Sequence, residues 1–297
     1  MLVVMRGGGD IATGIALRLH RSHMAVVICE LPAPTSIRRT VSFSEAMRLG
    51  TAEVEGVTAR RADLEEIPDL LERGEIPVLA DPAGSCIRAL APDAVVDAVL
   101  AKRNLGTTMD MAPAVVAAGP GFTAGTDCHA VVETMRGHYL GRVIYKGSAL
   151  PNTAVPGLIG GFAGERVLRA PGDGLFRGVR EIGDTVLPGD VVGYVGCAPM
   201  ACTIGGVLRG LLADGVAVHR GMKCGDVDPR CARDHCFCAS DKALAVGGGV
   251  LEAILHLYTT QEKTPSFLCE QRKEAKDRKS TRLNSSHIAT SRMPSSA

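Results

Sequence analysis

The 297-residue chain is 46% hydrophobic and 22% charged, enough to bury a sizeable core, and its length suggests about two domains. A formal net charge of +1 gives no general attraction to phosphate backbones or anionic lipid, so neither nucleic acid nor a membrane surface is an expected partner. The apolar run at Met1–Arg6 is too brief for a signal-peptide core, and no stretch reaches the ~18 apolar residues of a bilayer span, so a cytoplasmic location is expected.

In chain order, Leu2 to Met5 is a short apolar run, Arg6 to Asp10 a glycine-rich turn, Ile11 to Arg21 has helical spacing, and Ala25 to Cys29 is a second apolar run. Gly7, Gly9 and Ala12 fit G-x-G-x-x-G/A, with Gly8 inside the turn and Glu30 about twenty residues on, where a ribose-binding acid would lie. Two readings stand. The turn holds a nucleotide or related anionic ligand, or it belongs to a ligand-free βαβ unit, because Asp10 would repel a diphosphate and suits a helix cap equally well. Thr35 to Gly50 is a connector with a short helix, whose Arg38-Arg39 pair is a solvated face or an anion contact, with the solvated face preferred. Asp63 to Arg73 reads as helix, Ile76 to Ala80 as strand, Pro92 to Arg103 as helix and Ala114 to Ala118 as strand. The alternation predicts a Rossmann-like, mostly parallel sheet over residues 1–150.

Asp127, His129, Glu133, His138 and Arg142 form a dense polar cluster. A two-residue turn at Arg136-Gly137 would pair Met135 with His138 and Val131 with Arg142, placing His129, Glu133, His138 and Arg142 on one face. That face could hold a divalent metal, or it could be a solvated sheet surface with cross-strand ion pairs.

Residues 174–195 recur at 206–227: Gly174, Arg177, Gly178, Gly183, Val186, Gly189, Gly193 and Val195 match Gly206, Arg209, Gly210, Gly215, Val218, Gly221, Gly225 and Val227. The offset predicts a duplicated, barrel-sandwich-like β-domain over 151–238. Its first copy resembles biotin and lipoate carrier domains, but the hairpin Gly196–Cys202 has no lysine to modify, and Lys223 falls inside the second copy. Cys231, His235, Cys236 and Cys238 offer soft donors without paired C-x-x-C knuckles, so a resident metal there is disfavoured. The ten cysteines are expected to remain thiols, with Cys29, Cys86 and Cys269 as buried packing residues. Lys242 to Tyr258 is helix-like, within a C-terminal helix assigned to 239–262, and Gly247-Gly248-Gly249 is expected to permit close packing or open a second helix. Residues 263–297 have a disordered composition, and 279–297 resemble a read-through artefact.

The strings RGGGDIATG, GPGFTAGTDCHAVVETMRGHYLGRVIYKG, KCGDVDPR and SDKALAVGGGVLEAIL, spread over nearly all of residues 1–260, resemble the YqeB family of selenium-dependent molybdenum hydroxylase accessory proteins. The resemblance implies a role in maturing, or inserting cofactor into, hydroxylases of the xanthine dehydrogenase type, with the hydroxylase or its molybdenum cofactor as partner. It implies neither hydroxylation by this chain nor any catalytic residue. Two alternatives remain: an NAD(P)-dependent oxidoreductase using Gly7, Gly9 and Glu30, and a non-catalytic interaction scaffold.

Overall fold

The computed structural model describes residues 1–153 and 155–261. The N-terminal part runs β1 (Leu2–Arg6), α1 (Asp10–Arg21), β2 (Ala25–Glu30), α2 (Ala46–Leu49), β3 (Thr51–Val54), β4 (Val57–Arg61), α3 (Ile67–Glu72), β5 (Ile76–Ala80), α4 (Cys86–Leu90), β6 (Ala94–Asp97), β7 (Ala114–Ala118), β8 (Ala130–Val132) and β9 (Val143–Ile144). The order is β3-β4-β5-β2-β1-β6-β7-β8-β9 in one nine-stranded sheet. β1 lies at its centre, parallel to β2 and to β6. Val3, Val4 and Met5 are fully buried, as expected for a parallel strand covered on both faces, whose sequence is a continuous apolar run rather than an alternation.

This architecture overturns the Rossmann-like expectation. The sheet is mixed, with antiparallel pairs at both edges, β3 with β4 and β8 with β9, and no α-helix covers the β6–β7 or β7–β8 connection. The helix predicted over Pro92–Arg103 is instead strand β6 followed by a loop. Ala94, Val95 and Val96 are each fully buried, so both faces of this short run are apolar and its period is ambiguous between helix and strand.

The chain continues through β10 (Val167–Arg169), β11 (Gly174–Gly178), β12 (Thr185–Val186), β13 (Val191–Val195), β14 (Ala198–Ala201), β15 (Gly206–Leu211), β16 (Ala217–Val218) and β17 (Lys223–Asp228) to the helix α5 (Asp241–Gln261). In place of a single barrel-sandwich-like unit these strands form two four-stranded antiparallel sheets, β10-β17-β15-β12 and β14-β13-β11-β16. The pairings carry the same offset as the sequence repeat. Gly174 faces Val218 while Gly206 faces Val186, and Phe176 faces Val195 while Leu208 faces Val227. Each copy therefore lends a strand to the other's sheet, around a common core that includes Phe176, Val186, Leu208, Val218 and Cys224.

The connector after β2 fastens this β-region to the first sheet. Leu211 N–H donates to the Ile37 carbonyl at 2.7 Å, Arg39 Nε donates to the Leu211 carbonyl at 2.8 Å, and Thr40 Oγ1 donates to the Cys236 carbonyl. A Cβ on Gly210 would stand 3.1 Å from the Ile37 oxygen, so the two backbones approach where only glycine fits comfortably.

The three glycines of α5 neither break the helix nor open a second one. A Cβ on Gly247 would meet the Gly14 carbonyl oxygen at 2.7 Å, one on Gly249 would overlap the Gly141 carbonyl, and one on Gly14 would meet Ala243. α5 thus seats backbone against backbone on α1 and on the loop before β9, and this contact offsets the helix-propensity cost of glycine. Residues 1–255 form one compact unit, and the end of α5 from His256 belongs to a second. No described helix is long and apolar enough to cross a membrane. The tail assigned to 263–297 lies outside the described residues.

Candidate functional site: a cationic cleft at the sheet's carboxyl edge

In open α/β sheets, ligands collect beyond the carboxyl ends of the strands, where successive connections depart in opposite directions. Here β1 and β6 flank that point: the chain leaves β1 for β2 on one side and later returns to β6 on the other. A cleft of about 700 Å³ opens there, between the first turn of α1, the loops after β6, β7 and β8, the two strands β10 and β17, and the start of α5.

The wall of the cleft is heavily cationic. Arg38, Lys102, Arg136, Arg166, Arg169, Arg209, Lys223 and Lys242 line it, against only two carboxylates, Asp10 and Asp226. Asp226 is held by Arg166, and Asp10 stands 3.5 Å from Arg38 Nη1. Arg38 and Arg209 are buried, at 6% and 7% exposure. Burial and the neighbouring Arg209 lower the pKa of Arg38, and burial also lowers those of Lys223 and Lys242. Arg38 Nη2 donates to the carbonyls of His235 and Cys238, and Nη1 has only the 3.5 Å ion-pair contact with Asp10, while the Nε atoms of Arg38, Arg166 and Arg209 have no acceptor. Buried donors in this state are uncommon and call for an explanation. An anion drawn into the cleft would relieve the mutual repulsion of these cations.

The rim is strained as well. Leu100 and Lys102 both adopt left-handed backbone, with φ of 59° and 62°, a conformation that costs non-glycine residues free energy and recurs at ligand sites. Arg136 is fixed across the cleft mouth by paired hydrogen bonds of 2.7 and 2.8 Å to Asp241 at the start of α5. That pairing holds the Asp241 carboxyl well below the usual range.

The expected glycine-turn site is assembled differently. Gly7 N–H donates to the Cys29 carbonyl, and Gly8 N–H donates to Glu30 Oε2 at 2.7 Å. The other Glu30 oxygen accepts from Leu31 N–H, and the residue is 8% exposed. Glu30 is thus spent on its own turn, not turned toward a ribose. A Cβ on Gly7 would stand 3.0 Å from the Ala98 oxygen and one on Gly8 3.0 Å from the Ser44 nitrogen. These glycines accommodate neighbouring backbone rather than a pyrophosphate. Ala12 is fully buried in α1. Of the predicted segment, Asp10 reaches the cleft, and the Arg38 that was read as solvated is part of its buried wall.

The polar cluster does not converge. The strands pair Val131 with Ile144 and Val132 with Val143, two residues beyond the predicted register, because residues 137–142 form a wider turn. His129 and Glu133 sit at opposite ends of β8, about 13 Å apart along an extended chain. His129 Nδ1 accepts from Val115 N–H at 3.0 Å, and burial lowers its pKa. Asp127 accepts from Thr123 N–H and Asn104. Glu133 accepts from the N–H groups of Met135 and Leu150. His138 packs edge-on against Tyr139, and Arg142 lies over the same ring.

Cys231, His235, Cys236 and Cys238 do not gather either. Cys231 is exposed on a left-handed residue, while Cys236 points into the β core with Sγ 3.8 Å from the Leu208 carbonyl. Among the described residues, the donors that do come within metal-binding reach of one another are Cys29, Asp81 and Cys86, which their isolation in sequence had hidden.

Fold and site define a class: a mixed-sheet α/β protein joined to an internally repeated β-region, with a cationic cleft between them. Over 257 residues, 86% of its length, the chain is 53% identical to a protein of Escherichia coli K12 described as "Uncharacterized protein YqeB". The likeness to YqeB thus extends over most of this chain. The match covers 48% of that protein, so the chain spans about half the length of the curated relative. No family model matches. Among solved structures, it is similar to an aspartoacylase family protein of Mesorhizobium loti (9% identity, TM-score 0.26) and to a succinylglutamate desuccinylase/aspartoacylase of Rhodobacter sphaeroides (14%, 0.25). Each likeness covers 76% of this chain and 84% of the other, and at these scores neither activity carries over.

Proposed function

We propose that the protein is an accessory factor for selenium-dependent molybdenum hydroxylases and that its cationic cleft holds the phosphorylated, anionic molybdenum cofactor during maturation or insertion. The observation that carries this reading is the charge imbalance of the cleft, eight cationic side chains against the lining carboxylates Asp10 and Asp226 and the flanking Asp228 and Asp241 that pair with Arg209 and Arg136, with Arg38 and Arg209 buried. A pterin phosphate supplies the negative charge that such a wall lacks, and guanidinium groups bind phosphate through paired, charge-assisted hydrogen bonds. The resemblance of the sequence to YqeB-type accessory proteins supplies the identity of the cofactor. No catalytic residue is required of a protein that holds and passes on a cofactor.

The test is binding of molybdenum cofactor, and of its molybdenum-free pterin phosphate, by the purified full chain. Saturable binding weakened by salt and lost in Arg38→Ala is expected, together with cofactor-poor hydroxylase from cells that lack the protein. No binding at millimolar ligand, with fully loaded hydroxylase from those cells, would refute the proposal. Tight NAD(H) binding abolished by Gly9→Asp would instead favour the oxidoreductase.

A further inference from the structure

We propose that Cys29, Asp81 and Cys86 form a binding site for a single thiophilic divalent metal ion, with zinc as the best match. The site is separate from the cationic cleft and rests on different residues. Cys29 lies near the end of β2, where it pairs with Leu79 of β5. The chain then turns through Asp81 and returns Cys86 at the start of α4. The two Sγ atoms are 3.2 Å apart, and all three donor atoms lie within 4.8 Å of one another.

That spacing fits a metal better than a disulfide. A disulfide requires about 2.05 Å between sulfurs, whereas two thiolates about 2.3 Å from a tetrahedral zinc ion stand roughly 3.8 Å apart. A small rotation of either side chain covers the difference. Asp81 Oδ2 accepts from Cys86 N–H at 2.8 Å, which orients the carboxylate beside the thiols. Both cysteines are buried, at 3% and 6% exposure, while Asp81 is only half-buried. The carboxylate side is therefore the entry path and the position for a water as fourth ligand.

A second feature points the same way. Arg6 is 4% exposed and its Nε has no acceptor, and this atom lies 3.6 Å from where a Cβ would stand on Gly84, in the same turn. Arg6 also donates to Asp97 and Thr107. The Arg6 charge is matched by buried Asp97 at 3.3 Å, which leaves its Nε as an unpartnered buried N–H beside the turn that carries Asp81 and Cys86. Thiols bind a metal as thiolates, so binding displaces their protons. A hydrated divalent ion plus two thiols and one carboxylate gives the ion held by two thiolates, the carboxylate and one water, with release of two protons and the remaining waters. No electron is transferred.

The test uses the reduced full chain titrated with cobalt(II) and zinc. Expected are thiolate-to-cobalt charge-transfer absorption with the visible bands of a tetrahedral site, one ion per chain, and proton release on binding. Cys29→Ser and Cys86→Ser should abolish the bands, and Asp81→Asn should weaken binding roughly tenfold or more. Cys231→Ser and Cys238→Ser should leave them intact. In case the buried serines disturb folding, alkylation of the unaltered chain offers a second readout: zinc should slow labelling of Cys29 and Cys86 and leave exposed Cys197 and Cys231 unprotected. The inference is overturned by absence of cobalt bands in the reduced protein, by bands that survive loss of Cys29 and Cys86, or by zinc protection confined to the exposed cysteines. Pterin binding measured in the same variants reports separately on the cleft.

Discussion

The two copies of the repeat share a backbone plan and face different surroundings. In the first copy, β11 has one fully buried residue in five, whereas its counterpart β15 is buried along all six. Arg177 of the first copy lies over Tyr194 near the surface. The equivalent Arg209 is buried in the cleft wall, 3.7 Å from Asp228. At the positions of Val191, Tyr194 and Gly196 the second copy has Lys223, Asp226 and Asp228. Duplication supplied the frame, and the copy pressed against the sheet carries the charges. The comparison teaches that a repeat can preserve topology while only one copy acquires a site.

Breaking this asymmetry should have its largest effect on ligand binding. Arg209→Ala removes a charge-assisted donor of a kind that contributes about 1.5–3 kcal/mol, so affinity for a pterin phosphate should fall roughly 10- to 100-fold. Arg177→Ala should leave that affinity unchanged. Calorimetric titration of both variants checks the pair, and equal losses would remove the distinction between the copies.

Glycine positions sharpen it next. Gly206 and Gly174 have φ of 155° and 150°, so alanine is strained equally at both. A Cβ at Gly206 also runs into the Asp228 carbonyl, its carbon 2.9 Å away, whereas one at Gly174 meets only a Val195 methyl at 3.2 Å. Gly206→Ala should therefore destabilise by about 2–4 kcal/mol and Gly174→Ala by about half as much, as read by urea denaturation.

A third comparison uses pH. Arg230 and Arg209 hold the Asp228 carboxyl down at about 2, below its unfolded value of about 3.9. A depressed folded pKa gives stability that is complete above the unfolded value and is lost as pH falls toward 2. The contribution is roughly 2 kcal/mol at neutral pH. Asp228→Asn should lower stability by that order at pH 7 and flatten its decline between pH 5 and 2, as followed by thermal melts across that range. Smallest of all, Arg177→Ala should lower stability by about 0.5–1 kcal/mol, the scale of an exposed cation over an aromatic ring.

What could be read from the sequence follows from how local each signal was. The repeat was visible because its glycines keep one offset, and Ala114–Ala118 stands as a strand because the Gly119-Pro120-Gly121 turn closes the short apolar run after five residues. Pro92–Arg103 misled because a strand buried on both faces has no period of two. The hairpin register slipped because Arg136-Gly137 looks like a tight turn while the chain uses residues 137–142. The glycine turn carried a ligand motif, yet Glu30 satisfies it internally. The cleft itself was invisible: its cations are scattered from Arg38 to Lys242, and only the fold makes them neighbours. Cys29 and Cys86 were hidden likewise, 57 positions apart.

The clasp between residues 37–40 and strand β15 bears on how the molecule can be divided. Residues 151–238 look like a separable module, but the Leu211 N–H is satisfied by Ile37, and Cys236 and Leu211 offer their carbonyls to Thr40 and Arg39. Cutting the chain near residue 150 would strand those groups and bare the face of the second copy that the first sheet covers. The β-region is thus better regarded as an annex sharing a wall than as a free-standing building, and the cationic cleft runs along that shared wall.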